Sequence, residues 1–172
     1  FIPLEAMQTC IVPVISFNYA ARNLERCRKT LTEALIFGMA LMFIGTLCFV
    51  FIPVPMLHVF THDEAVISIC RVSFPIQGIS FLPLVSSLTF PVFFQAVGAS
   101  LKSSALTVIR TVVLFVPLGW LFSRFGLNYF WLTFPVTDII TTTVGVILYR
   151  RFLHGNAPDP QSGPFPFRPA VP

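Results

Sequence analysis

Charge is what this sequence has least of. Only 10% of its 172 residues are Asp, Glu, Lys or Arg, against 55% hydrophobic. A typical soluble domain carries about 25% charged residues, so a chain this poor in charge cannot coat a water-facing surface. Cysteine is sparse as well. Cys10, Cys27, Cys48 and Cys70 form no CxxC pair and keep no regular spacing, so they give no zinc or disulfide framework and read as small hydrophobes. The signatures of a P-loop (GxxxxGK followed by Ser or Thr), of HExxH metalloproteases and of GxSxG hydrolases are missing, which argues against an ATP-driven pump domain and against an enzyme. His58, His62 and His154 lie at or beyond the ends of apolar runs without ligand geometry; they read as surface residues, and no metal or cofactor is implied. There is no basic stripe with interleaved polar residues, so the net charge of +4 is no nucleic-acid footprint. The opening run FIPLEAMQTCIVPVISF has no positively charged n-region. That argues against a signal peptide, and the expectation is a piece that starts inside a longer protein.

What the chain does have is long apolar runs and 20 Phe, a side chain that suits lipid and has no hydrogen-bonding group to satisfy. A helix needs about 20 apolar residues to cross a bilayer. Four stretches meet that length: 34–56, 66–95, 104–122 and 128–149. Segment 3–20 holds Glu5, Gln8 and Pro13 and reads as a partial span that lines something. Stretch 66–95 contains Pro75, Pro83 and Pro91, which predicts a kinked, tilted helix whose freed carbonyls are satisfied by its neighbours. The expected fold class is all-α, a multi-pass transmembrane bundle over residues 1–151. Residues 152–172, rich in Pro and Gly, read as a disordered cytoplasmic tail or a fusion-derived segment.

The connectors alternate in charge. Segment 21–33 carries Arg22, Arg26, Arg28 and Lys29, the 96–103 connector Lys102, and the last span ends at Arg150 and Arg151. Segment 57–65 carries Asp63 and Glu64 with no Lys or Arg, and 123–127 carries Arg124 alone. Lys and Arg favour the cytoplasmic side, so the pattern predicts a cell (inner) membrane protein with its C-terminus in the cytoplasm and 57–65 and 123–127 outside.

Candidate binding residues are the polar groups inside these spans. Asp138 is the only acid deep in one, and a carboxylate there must be paired, hydrated or protonated. Thr141, Thr142 and Gly145 follow it at i+3, i+4 and i+7, a stripe that must face protein or water. The stripe is either a proton- or cation-binding site or a structural tie between helices. Arg110 lies about 9 Å into its span and Asp138 about 18 Å into its own, at 1.5 Å per residue. That offset favours snorkelling of Arg110 to the interface and makes a direct pair marginal. Ser73, Gln77 and Ser80 recur at i, i+4 and i+7 beside Pro75. They line a wet cavity or make interhelical hydrogen bonds, and the same alternatives hold for Gln8, Ser16 and Asn18.

Several stretches resemble a known family. PVISFNYAARNLERCRKTL (13–31) is similar to the segment that follows the eighth helix of multidrug and toxic-compound extrusion (MATE) transporters. FFQAVGASLKSS (93–104) resembles that family's link from tenth to eleventh helix. IRTVVLFVPL (109–118) and GLNYFWLTFPVTDII (126–140) resemble the eleventh helix and the start of the twelfth. The resemblance covers about residues 1–152. It implies a twelve-helix transporter of two lobes, exporting small organic, often cationic compounds in exchange for H+ or Na+. Of this, the chain would hold the end of the eighth helix and all of the ninth to twelfth. Its partners would be the bilayer, the N-terminal lobe and the seventh helix. The family's coupling carboxylates lie mostly on helices one, seven and ten; the first two are not in this chain, and 66–95 has no acid, so none is carried over. The family usually has Gly where this chain has Ala20, which puts a tight helix exit there in question. The alternatives are a lipid or polysaccharide flippase of the same superfamily and a membrane interaction subunit that transports nothing alone.

Overall fold

The computed structural model describes residues 2–59 and 63–155. These form α1 (Ile2–Ala20), α2 (Leu24–Phe51), α3 (Pro53–His58), α4 (Glu64–Ala96), α5 (Ser100–Val108), a π-helical segment (Ile109–Phe115), α6 (Val116–Ser123), α7 (Leu127–Phe130) and α8 (Thr133–Gly155). No strand occurs among the described residues. Four stretches are long and apolar enough to cross a membrane: Leu24–Phe51, Glu64–Ala96, Ser100–Ser123 and Leu127–Gly155. The all-α multi-pass bundle is therefore the fold, with α1 preceding the four spans.

The hydropathy boundaries shift where local chemistry sets them. Segment 21–33 is not mainly a connector, because α2 already begins at Leu24, where the Asn23 side chain accepts from the Arg26 amide at 3.0 Å. A polar cap and good helix formers extend the helix past its apolar part. At the other end α2 stops at Phe51, and Pro53 opens the separate α3, so 34–56 is not one unbroken helix. Asp63 caps α4 by accepting from the Ala65 amide. Helix α8 runs on to Gly155 with Phe152 buried, so residues 152–155 belong to the bundle and not to a tail. The rest of the expected tail, 156–172, lies outside the described residues, as does His62.

The exit from α1 is tight despite Ala20. The Asn23 amide donates to the Asn18 carbonyl at 2.9 Å and the Arg22 amide to that of Tyr19 at 2.9 Å, the paired bonds of a Schellman ending. The left-handed residue is Arg22, with φ 55°. Ala20 is still helical, so glycine is not required there. The end of α4 repeats the motif: Ala99 donates to Phe94, Gly98 to Gln95, and Gly98 takes φ 76°.

Helix α4 is the hub. Its 33 residues rise about 50 Å at 1.5 Å each, more than the roughly 30 Å of hydrocarbon, and it packs against α1, α2, α5 and α8. Hydroxyls of neighbouring helices bond α4 carbonyls, though not the ones its prolines free: Thr46 donates to the Gly78 carbonyl at 2.8 Å and Thr142 to that of Pro83 at 2.9 Å. One core cluster gathers Phe90, Phe93 and Phe94 with Ile15, Leu31, Leu106 and Phe152. A second holds Leu4, Met42, Phe81, Leu84 and Val85. Phe37, Ile44, Val112 and Trp120 are exposed, as lipid-facing side chains are.

One end of the bundle collects the basic residues. Ser16 donates to the Ala96 carbonyl at 2.8 Å, tying the end of α1 to the end of α4. Lys102 Nζ sits 5.4 Å from the Phe152 ring and 5.9 Å from that of Phe94. The start of α5 and the ends of α1, α4 and α8 therefore meet, and with them the Arg22–Lys29 run, Lys102, Arg150 and Arg151.

Candidate functional site

Asp138 is held in the second turn of α8, on its buried face, only 2% exposed. The face can approach α4 closely because Gly145 lies against Phe90; a Cβ there would stand 2.7 Å from the ring Cδ2. From α4, Ser87 reaches Asp138 Oδ1 at 2.9 Å. From the π-helical segment, Arg110 Nε donates to the same oxygen at 2.9 Å.

Arg110 thus pairs with Asp138 and does not snorkel to the interface. Both helices run past their hydropathy boundaries, α5 from Ser100 and α8 to Gly155, so Arg110 lies about 15 Å and Asp138 about 25 Å from those ends. Depth counted from helix ends does not forecast the pair; the packing of the helices brings the two side chains together. The wider i→i+5 turns of π-helix, which recur at functional sites, include Arg110 itself.

Ser87 has one hydroxyl proton and two acceptors within reach: Asp138 Oδ1 at 2.9 Å and the Leu84 carbonyl at 3.0 Å. It also precedes Pro91 by four residues. Pro91 has no N–H, so the Ser87 carbonyl receives no helical bond from it. Sequence reading missed Ser87; its spacing from Pro91, the same i−4 relation that loosens a helix, was the available signal.

The threonine stripe divides. Thr142 bonds the Pro83 carbonyl, while the hydroxyls of Thr133, Thr137 and Thr141 are buried with no hydrogen-bond partner. Ser73 and Gln77 are not part of this site. Ser73 turns back to the Cys70 carbonyl at 3.5 Å and Ser80 to that of Gln77 at 2.7 Å. Both serines are buried on α4, and Gln77 lies ten residues, or about 15 Å, from Ser87. Of the α1 candidates, Asn18 bonds its own helix at Val14, Ser16 bonds α4, and Gln8 lines a cleft.

That cleft, about 190 Å³, lies where α1, α4 and α5 converge. It is lined by Gln8, Ser87, Leu88, Pro91, Val92, Gln95, Ser103, Thr107 and Arg110. A second groove of about 440 Å³ shares Gln8, Val92 and Gln95 and adds Glu5, Thr9, Val12 and Pro13. Arg110 is part of this cleft's wall, with Asp138 buried behind it. No group of three or more His, Cys, Asp or Glu side chains able to hold a metal occurs among the described residues.

Comparison with known proteins bears on the fold and the family. The MatE family model matches residues 1–121. The chain belongs to the MatE family. It is therefore a multi-pass membrane protein of a transporter family, as the resemblance in residues 13–31, 93–104 and 109–118 implied. The fold of this MatE chain is similar to a MOP superfamily transporter from Pyrococcus furiosus Vc1, described by the reverse polarity of its binding pocket. That match has TM-score 0.82 and 21% identity, over 91% of this chain and 36% of that one. It is similar to a MATE protein solved in complex with MaL6, with TM-score 0.81 and 19% identity, over 90% and 36%. An outward-facing multidrug resistance MATE transporter of the MOP superfamily matches with TM-score 0.81 and 21% identity, over 90% and 35%. The MatE chain spans about a third of the length of these solved transporters. No curated protein matches it.

Proposed function

We propose that this chain is the C-terminal part of a cation-coupled secondary transporter that exports small organic compounds across the cell membrane, with its basic end in the cytoplasm. In this reading the Asp138–Arg110–Ser87 set carries the coupling charge. The supporting observation is a buried carboxylate bonded to a cation and a hydroxyl from two other helices, beside a cleft between helices. Arg110 is the charged group facing Asp138; the other polar group bonded to it is the Ser87 hydroxyl.

The coupling ion in this proposal is H+ and not Na+. Na+, a hard cation, wants several oxygen ligands, and the Asp138 carboxylate with the Ser87 hydroxyl offers few. A proton needs one. Protonation of Asp138 weakens its hold on Arg110 and lets the Ser87 hydroxyl turn back to Leu84. Both changes loosen α4 from α8 and from the π-helical segment, the kind of two-arrangement contact on which alternating access depends. The test is efflux of an organic cation dye from proteoliposomes holding the full-length protein, across external pH. Asp138→Asn is expected to flatten the pH dependence. Unchanged efflux with an unchanged pH profile sinks the proposal and leaves Asp138 as a structural tie.

A further inference from the structure

We infer that the basic end of the bundle holds an anionic phospholipid, with its phosphate on Lys102 and Arg151 and an acyl chain along α5. The inference needs the chain to sit in a bilayer and is independent of the ion that drives transport.

Exposed cations from three helices meet at this end: Arg26, Arg28 and Lys29 of α2, Lys102 of α5, and Arg150 and Arg151 of α8. An aromatic cluster draws them together. The Phe152 ring lies 6.1 Å from that of Tyr19, 5.7 Å from Phe93 and 6.0 Å from Phe94, and Lys102 Nζ stands 5.4 Å from the same ring. Tyr149, 5.2 Å from Phe93, has Arg28 beside its hydroxyl. Among the described residues, the acid in ion-pair contact with these cations is Glu33, 3.9 Å from the Lys29 Nζ. Gathered like charges repel one another, and an anion set among them relieves that repulsion. Segment 156–172 cannot supply it, because it holds one acid, Asp159, against one base, Arg168. A bias of Lys and Arg toward one side accounts for orientation in the membrane; it does not require three helices to bring their cations to one cluster of rings.

The apolar surface next to the charges selects a lipid over a soluble anion. Leu101, the neighbour of Lys102, is 88% exposed. Ala105 and Val108 follow it at i+4 and i+7, also exposed, and Val112 continues the strip. Positions so spaced share one helix face. From Leu101 to Val112 the strip descends about 16 Å, close to the roughly 15 Å of hydrocarbon in one leaflet. Phe17, at the end of α1, is exposed as well. A headgroup phosphate at Lys102 and Arg151 therefore leaves an acyl chain lying on the strip, a match that a free phosphate ester cannot make.

The experiment titrates three probes into the full-length protein in a neutral detergent, with binding read by calorimetry. The probes are dihexanoyl phosphatidylglycerol, dihexanoyl phosphatidylcholine and glycerol 3-phosphate, the last being a phosphate head without chains. The phosphatidylglycerol is expected to bind at least about tenfold more tightly than either other probe, given about fivefold for each cation near a headgroup. Lys102→Gln and Arg151→Gln are each expected to weaken it about fivefold, while Lys102→Arg keeps it. Both positions are exposed, so the melting temperature without lipid is expected to stay at the wild-type value. Leu101→Asn is expected to weaken phosphatidylglycerol and leave glycerol 3-phosphate unchanged. Arg124→Gln, at the other end of the Ser100–Ser123 span, is the control and is expected to change nothing. Equal binding of the two lipids, or glycerol 3-phosphate binding as tightly as phosphatidylglycerol, overturns the inference. Undiminished phosphatidylglycerol binding in Lys102→Gln and Arg151→Gln, or an equal loss in Arg124→Gln, does so too.

Discussion

Gly145 on α8 and Phe90 on α4 touch so closely that no side chain fits between them: a Cβ at 145 would meet Phe90 Cδ2 at 2.7 Å, Cγ at 3.0 Å and Cβ at 3.1 Å. Those atoms are the root of the ring, which cannot swing away without moving its backbone. Gly145→Ala is therefore expected to destabilise by about 1–3 kcal/mol, the usual range for overpacking. Gly38→Ala, whose Cβ meets Val85 Cγ1 at 2.8 Å and Leu4 Cδ1 at 3.3 Å, presses on side-chain methyls and not on the root of a ring, and is expected to cost less. Thermal unfolding of the two variants in detergent checks the order; a reversed order contradicts it.

The Arg110–Asp138 pair should show the asymmetry of buried ion pairs. Removing one partner strands the other charge, at about 3–5 kcal/mol. Asp138→Ala and Arg110→Ala are each expected to lower expression and melting temperature sharply. The double variant Arg110→Met with Asp138→Leu is expected to recover most of that stability while abolishing pH-dependent efflux. Additive losses in the double variant would show that the two side chains do not act as a pair.

Ala20 and Gly98 separate the roles of the two helix exits. Gly98 holds the left-handed position after α4 with nothing within 4 Å of its missing side chain, so Gly98→Ala is strained only by its backbone, at about 1–2 kcal/mol. At Ala20 the backbone is helical, so Ala20→Gly is expected to cost about 0.5–1 kcal/mol by added chain entropy. A gain in melting temperature from Ala20→Gly would contradict the placement of the left-handed residue at Arg22.

Sidedness is open to direct labelling. In a background without native cysteines, cysteines introduced at Arg28, Lys102 and Arg151 are expected to react with an impermeant thiol reagent from one face of the membrane, and one at Glu64 from the other. Protection of Arg28 and Arg151 from opposite faces would contradict the shared basic end.

The sequence alone determined that the chain lives in a bilayer, how many times it crosses, and which connectors share an end. These follow from one-dimensional quantities: the length of an apolar run must match the hydrocarbon thickness, and charges gather between runs because burying them is costly. It also marked Asp138 and Arg110, since an ionisable group inside such a run is conspicuous by itself. It did not pair them. Counting along each helix from its end does not say how two helices are offset against each other, and no periodicity announces the π-helical segment that includes Arg110. Ser73 and Gln77 were singled out and Ser87 was not, because a helical face is defined only up to rotation until something packs on it. That choice was made by the tertiary structure: the close contact of Gly145 with Phe90 sets α8 against α4, and this places one hydroxyl, one guanidinium and one carboxylate within bonding distance.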